Sequence, residues 1–326
     1  MTRELFDFNK QSEESQWLIK DFIPLGHLCV LIAQSGKGKS YLLEAIALHV
    51  AFGIPFCGLD TNYGDVMIFD QDTPIDVFDK RFLMIAKGLG LAPKYNVRCF
   101  NMKNYSISTS TIPDKINEFK PRLVIIDSLH SLCGRLNPNK TNDMSIWAKI
   151  KGQCLTKDTT ILIAHHISEK ADYSIDELMN SNTHLSGMGS SAIKQQADTE
   201  FVMTSSVNAD AGKIENIYVR PIAKRQAIPS KALVIKLIEP DKDTILFEFG
   251  GYFEPDTSIE EQDILLLFES TGNEFTVKNV VTEMGGRYSE SIVRKTLAAL
   301  ELKNRLILVR TRHNLFKYRL PRRGED

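Results

Sequence analysis

Five short apolar runs recur along the first half of the chain. They are LCVLIA at 28–33, DVMIFD at 65–70, NVRCF at 96–100, RLVIID at 122–127 and TTILIAHH at 159–166. Patterns of helical period lie between them, as in SYLLEAIALHVA at 40–51 and IDVFDKRFLMIAKGLG at 75–90. Strands that read as nearly continuous apolar runs and alternate with helices bury both faces, which requires a parallel sheet with helices on each side. After about residue 198 the pattern changes. EFVMTSS, KIENIYVR, ALVIKLIE and DTILFEFG follow one another across short turns, the pattern of antiparallel strands that extend the sheet. The expectation is an α/β fold with a central, mostly parallel sheet. No run approaches the roughly 20 apolar residues that span a bilayer, and the mixed-charge start MTRELFDFNK lacks the apolar core of a signal peptide.

The first strand runs into Ala33-Gln34-Ser35-Gly36-Lys37-Gly38-Lys39-Ser40, and a helix opens there. This fits the phosphate-binding loop pattern except that alanine stands at the first glycine. Gly36 and Gly38 allow backbone N–H groups to turn inward around phosphate oxygens, and the helix behind them presents its positive end. The nucleotide-binding set is Ser35, Gly36, Lys37, Gly38, Lys39, Ser40 and Tyr41, with Lys39 bridging the outer phosphates and Ser40 holding Mg²⁺.

Two further strands end in carboxylates. Asp127 closes RLVIID, at the carboxyl edge of a parallel strand where open α/β sheets bind ligands. It is the second expected Mg²⁺ ligand. The run Phe69-Asp70-Gln71-Asp72-Thr73-Pro74 closes the other. If the strand continues, alternation sets Asp70 and Asp72 on one face. Asp72 is the candidate general base that orients the attacking water. Thr73 before Pro74 equally suits a helix cap.

The strand after Asp127 ends in His165-His166. A polar group there reaches the γ-phosphate, and His166 is the candidate, reporting hydrolysis to the polar segment 167–186. Adjacent strand residues face opposite ways, which argues against a shared zinc. Arg135 and Lys140 are candidate contacts to a nucleic-acid strand.

Together these residues resemble the RecA-like ATPases of the AAA_25/RepA group, the plasmid and phage helicases related to the DnaB type. Trp17-Leu18 with Phe22-Ile23-Pro24-Leu25-Gly26 is similar to that group's lead-in to the phosphate loop. Phe52-Gly53-Ile54-Pro55-Phe56 and Tyr63-Gly64-Asp65-Val66 are similar to its approach to the second strand. His165-His166 with Lys170 resembles its histidine motif, and Gly189-Ser190-Ser191-Ala192 its small-residue motif. The resemblance runs from about residue 16 to 250. It implies a catalytic carboxylate after the second strand, usually glutamate and here Asp72. It implies a cation that reaches the neighbouring subunit's γ-phosphate, here Arg225, with Lys224 beside it. It also implies six-membered rings around single-stranded DNA. Met188 stands where an arginine often precedes Gly-Ser-Ser.

From about 258 the order of patterns is helix, helix, helix, hairpin, that of a winged helix-turn-helix. Domains are therefore expected at 1–252, with the first 15 or so residues an arm, and at 258–326. The whole chain carries a net charge of −1, yet residues 287–323 hold eleven Lys/Arg and two acids, Glu290 and Glu301. A basic stripe on such a unit is the electrostatic footprint of nucleic-acid binding. Its recognition helix would open at Ser289, and Arg310, Arg312 and His313 would lie in the wing. A protein-docking role is the alternative for this unit. The five cysteines show no CxxC spacing, which points to a reducing, cytoplasmic setting.

The sequence therefore leads to an ATP-dependent, Mg²⁺-requiring DNA helicase or translocase. It would act on single-stranded DNA in replication, as a homo-oligomer and by preference a hexamer, without contact to membranes. Its catalytic set is Lys39, Asp72, Asp127, His166 and Arg225. The alternatives are a DNA-bound ATPase switch that never unwinds duplex and a non-enzymatic replication adaptor.

Overall fold

A computed structural model of the 326-residue chain describes residues 16–70, 72–91, 97–101, 111–128, 151–152, 155–166, 175–180, 196–208, 211–223, 231–253, 259–310 and 316–322. The chain divides into two compact units. The first runs to Ile175 and resumes over 185–253; the second holds 176–184 and everything from 254 on.

The first unit is built on a nine-stranded sheet in the order β11-β10-β9-β8-β3-β7-β6-β4-β5. Its strands are β3 (Leu28–Ala33), β4 (Val66–Asp70), β5 (Val97–Asn101), β6 (Leu123–Asp127), β7 (Thr160–His166), β8 (Thr199–Val207), β9 (Ile214–Ala223), β10 (Leu233–Asp241) and β11 (Thr244–Tyr252). Two short strands, β1 (Trp17–Ile19) and β2 (Ile23–Pro24), pair separately. The pairings from β8 through β3, β7, β6 and β4 to β5 are parallel, and those among β8, β9, β10 and β11 are antiparallel. The sheet is therefore mixed. β8 begins the antiparallel extension expected from the sequence, and its other edge pairs parallel with β3.

Helix α1 (Lys39–Phe52) is apolar nearly all round and is buried along almost its whole length. It packs on the sheet face made by Leu31 and Ala33 of β3, Leu123 and Ile125 of β6, Leu162 and Ala164 of β7, and Phe201 and Met203 of β8. Gly53 ends it with φ of 65°, the left-handed cap that glycine adopts without strain. Helix α2 (Ile75–Gly88) is amphipathic and turns Phe78 and Ile85 into the same core.

β11, at one edge of the sheet, brings Ile245 and Phe247 into the cluster that holds Phe78 and Ile85 of α2. A Cβ on Gly88 would lie 2.0 Å from the Ile245 carbonyl oxygen, so only glycine permits this approach. On β5, the Arg98 guanidinium lies 4.2 Å from the centre of the Phe119 ring of α3 (Thr111–Phe119).

The second unit has its own core: Ile264, Phe268, Val280, Val293, Leu297, Leu300, Leu306 and Tyr318. Its elements from residue 259 are α5 (Ile259–Thr271), α6 (Val277–Glu283), α7 (Glu290–Leu302) and the hairpin β12 (Ile307–Arg310) with β13 (Phe316–Arg319). The short helix α4 (Ile175–Asn180) belongs to this unit from residue 176. Thr276 and Asn279 form a reciprocal capping box at the start of α6, and Ser289 caps α7 through the Ile292 N–H. Among the described residues no helix is long and apolar enough to cross a membrane.

Candidate active site

Four strand ends in the first unit set the chemistry. β3 closes at Ala33, and the turn that follows includes Gly36 and Gly38 at φ of 72° and 84°. Such positive values are strained for any residue bearing a Cβ. Gly38 is also crowded, since a Cβ there would lie 2.9 Å from Ile214 Cδ1. The turn feeds directly into α1, whose N-terminal N–H groups and dipole face this edge of the sheet.

Lys39 is 4% exposed, and its ammonium group donates to the carbonyls of Ala33 at 3.1 Å and Gln34 at 2.6 Å. Burial lowers its pKa to about 8, against the pull of the nearby Asp127 carboxylate. The next residue, Ser40, donates its hydroxyl to Asp127 Oδ2 at 2.6 Å. Asp127 ends β6 and is 6% exposed. Burial raises its pKa to about 6. The Ser40 hydrogen bond and Lys39 act against that rise, while Asp70 and Asp72 reinforce it.

Asp70 ends β4 and is the register partner of Asp127. Its Oδ1 accepts the N–H groups of Asp72 at 2.9 Å and Thr73 at 3.0 Å. This Asx turn ends the strand. β4 ends at Asp70, so Asp72 is placed by the turn and not by strand alternation. Asp72 Oδ2 accepts the Ser128 hydroxyl at 2.8 Å, and Ser128 is completely buried. α2 begins at Ile75, with Pro74 at its cap position and no side-chain cap. Thr73 is therefore not the cap of α2, and its N–H instead belongs to the turn that Asp70 holds.

His166 ends β7 opposite Ala33 of β3. Alternation sets it on the face of Leu162 and Ala164, the face that carries α1, and sets His165 on the other. His166 is half-buried. Lys39, Ser40, Asp70, Asp72, Asp127 and His166 thus share one edge of the sheet. Tyr41, half-buried on α1, lies with its ring 5.0 Å from the Arg81 guanidinium carbon. Arg225, Lys224, Arg135, Lys140, Lys170 and residues 187–192 lie outside the described residues, as do Arg312 and His313 of the second unit. Of the polar segment 167–186, residues 175–180 are helical, with Leu178 and Met179 buried.

Three features went unread in the sequence. One is Ser128. Another is the pair Glu44 and Arg81, joined between α1 and α2. The third is a groove of about 500 Å³ at the ends of β8, β9 and β10, lined by Asn208, Lys213, Ile214, Asn216, Leu237 and Glu239 among others. Ile214 is the residue that crowds Gly38, so the groove adjoins the phosphate loop on the side of β3 away from Asp70 and Asp127.

With this geometry in place, comparison with known proteins is decisive at the level of family. The AAA_25 profile, described as an AAA domain, matches residues 2–172. The chain belongs to the AAA_25 family of P-loop ATPases. No curated protein matches it. This AAA_25 protein accordingly falls within the replication-helicase, RecA-like group of ATPases, and nucleotide binding follows from membership. The match covers the segments that carry Lys39, Asp72, Asp127 and His166. It ends before β8, before the groove and before the second unit.

Proposed function

We propose that this AAA_25 protein is an ATP-dependent DNA helicase or translocase that works on single-stranded DNA as a ring of identical subunits, by preference a hexamer. The observation that carries the reading is the convergence of Lys39, Ser40 and Asp127 with Asp72 at one edge of the sheet. The turn at 34–38 and the start of α1 bind the phosphates through backbone N–H groups. Lys39 leaves its two loop carbonyls to meet the outer phosphates. The hard oxygen donors Ser40 Oγ and Asp127 Oδ2, 2.6 Å apart, suit Mg²⁺. When bound, the ion screens charge on the phosphates.

Asp72, held by Ser128, orients the attacking water. His166, on the same face of the sheet as Asp127, faces the end of the chain of phosphates. All of these groups lie on the β7-β6-β4 side of β3, so the nucleoside end points the opposite way, into the groove at β8–β10. Its apolar floor of Ile214 and Leu237 and its polar rim suit a base and sugar. Arg225 would complete the site of the neighbouring subunit.

The second unit is read as a winged helix in which α7 is the recognition helix and β12–β13 the wing. Its basic stripe supports contact with DNA. Exposed Ile292 and Phe316 beside that stripe favour a second reading, in which the unit docks a protein and the ATPase serves as a switch or an adaptor. ATP turnover with and without single-stranded DNA, paired with strand displacement on a forked duplex, tests the proposal. Stimulated turnover with displacement supports it. Stimulated turnover without displacement leaves the switch, and no turnover leaves the adaptor.

A further inference from the structure

The nucleotide site is built on α1 and on the segment that leads into α2, and one buried contact fastens the two helices together. Arg81 Nε lies 2.8 Å from both carboxylate oxygens of Glu44, and its Nη2 also donates to Glu44 Oε1. The Arg81 side chain is 13% exposed and that of Glu44 4%. The face of the same guanidinium lies over the Tyr41 ring. Glu44 is one helical turn beyond Ser40, on the same side of α1. Arg81 also acts electrostatically on Asp70, and Asp127 acts on it in turn. Glu44, Asp70 and Asp127 are three buried carboxylates within one another's field, and Arg81 is a cation common to them.

We propose that Arg81 is a positioning residue for the nucleotide reaction: its fork on Glu44 fixes α2 against the phosphate-loop helix and so fixes where Asp72 stands. The proposal rests on the reading of Asp72 as the group that orients water. The segment from β4 into α2 is tied down at two points. Asp70 holds its start through two backbone N–H groups, and Arg81 holds the helix beyond. Asp72 lies between them, with Ser128 as its own partner.

Farther along the same face of α2, Gly88 lets β11 approach the helix. With that face packed, α2 can still slide along α1, and the two-pronged contact opposes that motion. Lysine offers the charge without the fork, so it fills the role poorly. A displacement of Asp72 by about 1 Å is enough to cost up to ~10²-fold in turnover.

The experiment measures ATP turnover at saturating nucleotide, KM, nucleotide affinity by titration, and thermal unfolding. It compares the wild-type chain, Arg81→Lys, Arg81→Gln and the double variant Arg81→Met with Glu44→Leu. The double variant guards against misfolding, because replacing both members of a buried ion pair by apolar residues removes the unpaired charge that destabilises single variants. The expected result is a fall of about tenfold or more in kcat for all three variants, within the ~10²-fold that a displaced group costs. Nucleotide affinity should stay near wild type, and the double variant should unfold at or above the wild-type temperature. A folded double variant with wild-type kcat overturns the proposal, and so does a loss in which KM and affinity change while kcat does not. Absence of turnover in the wild-type chain would instead refute the ATPase reading on which the proposal rests.

Discussion

The buried hydroxyl of Ser128 donates to Asp72 Oδ2 at 2.8 Å, joining the residue that follows the β6 carboxylate to the residue two beyond the β4 carboxylate. Asp127 and Asp70 are register partners in the sheet, and Ser128 and Asp72 extend that correspondence past the strand ends. The lateral pairing of two strands is thereby converted into a fixed position for the side chain proposed to orient water.

Ser128→Ala removes that bond and leaves Asp72 in place but unsteadied. Turnover should fall about tenfold, with nucleotide affinity unchanged. Asp72→Asn should fall further, by the ~10²–10⁴-fold that a positioned general base supplies. Steady-state rates and a nucleotide titration on both variants check the order. Equal losses in affinity and rate would show that the pair supports the fold around the loop instead.

Asp127→Asn should keep the fold and weaken the Mg²⁺ dependence of nucleotide binding, because an amide oxygen is a poorer partner for a hard cation than a carboxylate. Ser40→Ala should do the same to a smaller degree. Lys39→Ala should abolish turnover with Mg²⁺ present, since its charge acts on the outer phosphates. Titrating Mg²⁺ against a fluorescent nucleotide separates these cases. A Lys39→Ala variant with wild-type turnover would remove the basis for the site.

Much of this site could be read from the chain, for definable reasons. Strands buried on both faces carry an unbroken apolar signal, so the runs ending at Ala33, Asp70, Asp127 and His166 stand out. The loop at 33–40 is contiguous, and so is its pattern. Pairing across the sheet has no such local signature, which is why the parallel register of β8 on β3 emerged only in three dimensions. Whether alternation reached Asp72 was not legible in the sequence, because it depends on the Asp70 carboxylate capturing the next N–H groups and turning the chain. Glu44 and Arg81 are 37 positions apart on two helices of ordinary charge pattern, and nothing in either helix announces the other. Helix α4 was missed because IDELMN lies in a polar stretch, where two adjacent buried residues, Leu178 and Met179, give no helical period.

The carboxylates also set a dependence on pH. Glu44 is pushed up to about 7, by burial first and then by the Asp127 and Asp70 charges, with Arg81 opposing. Asp127 is pushed up to about 6. Both hold a proton in the folded chain at pH values where the unfolded chain has lost it. The stability they contribute is complete below the usual carboxylate range and is lost as pH rises through about 6 and 7. Without nucleotide, the melting temperature should therefore decline between pH 5 and 7.5. Glu44→Gln should flatten the upper part of that decline, and calorimetry across this range would detect the change. A rise in stability over the same interval would contradict the assignment.

In the second unit the basic residues are not equally available to a ligand. Arg287 pairs with Asp263 at 2.8 Å, Arg294 with Glu290 at 2.9 Å, and half-buried Lys303 with buried Glu261 at 2.9 Å. Lys295 and Arg305 are exposed and have no ion-pair partner among the described residues. Lys295 shares the open face of α7 with Ser291, Ile292 and Arg294. If this face meets DNA, Lys295→Ala should weaken binding nearly equally across sequences and lower the slope of log affinity against log salt by about 1, the loss of one phosphate contact. Arg294→Ala should act less, because Arg294 must first leave Glu290. Glu290→Gln should strengthen binding by releasing Arg294 and removing a like charge from the approaching phosphates. Anisotropy titrations with a labelled duplex over a range of salt concentrations check all three. If the slopes do not move while Ile292→Asp or Phe316→Asp abolishes capture of a protein partner, the open face of α7 is a protein-docking surface.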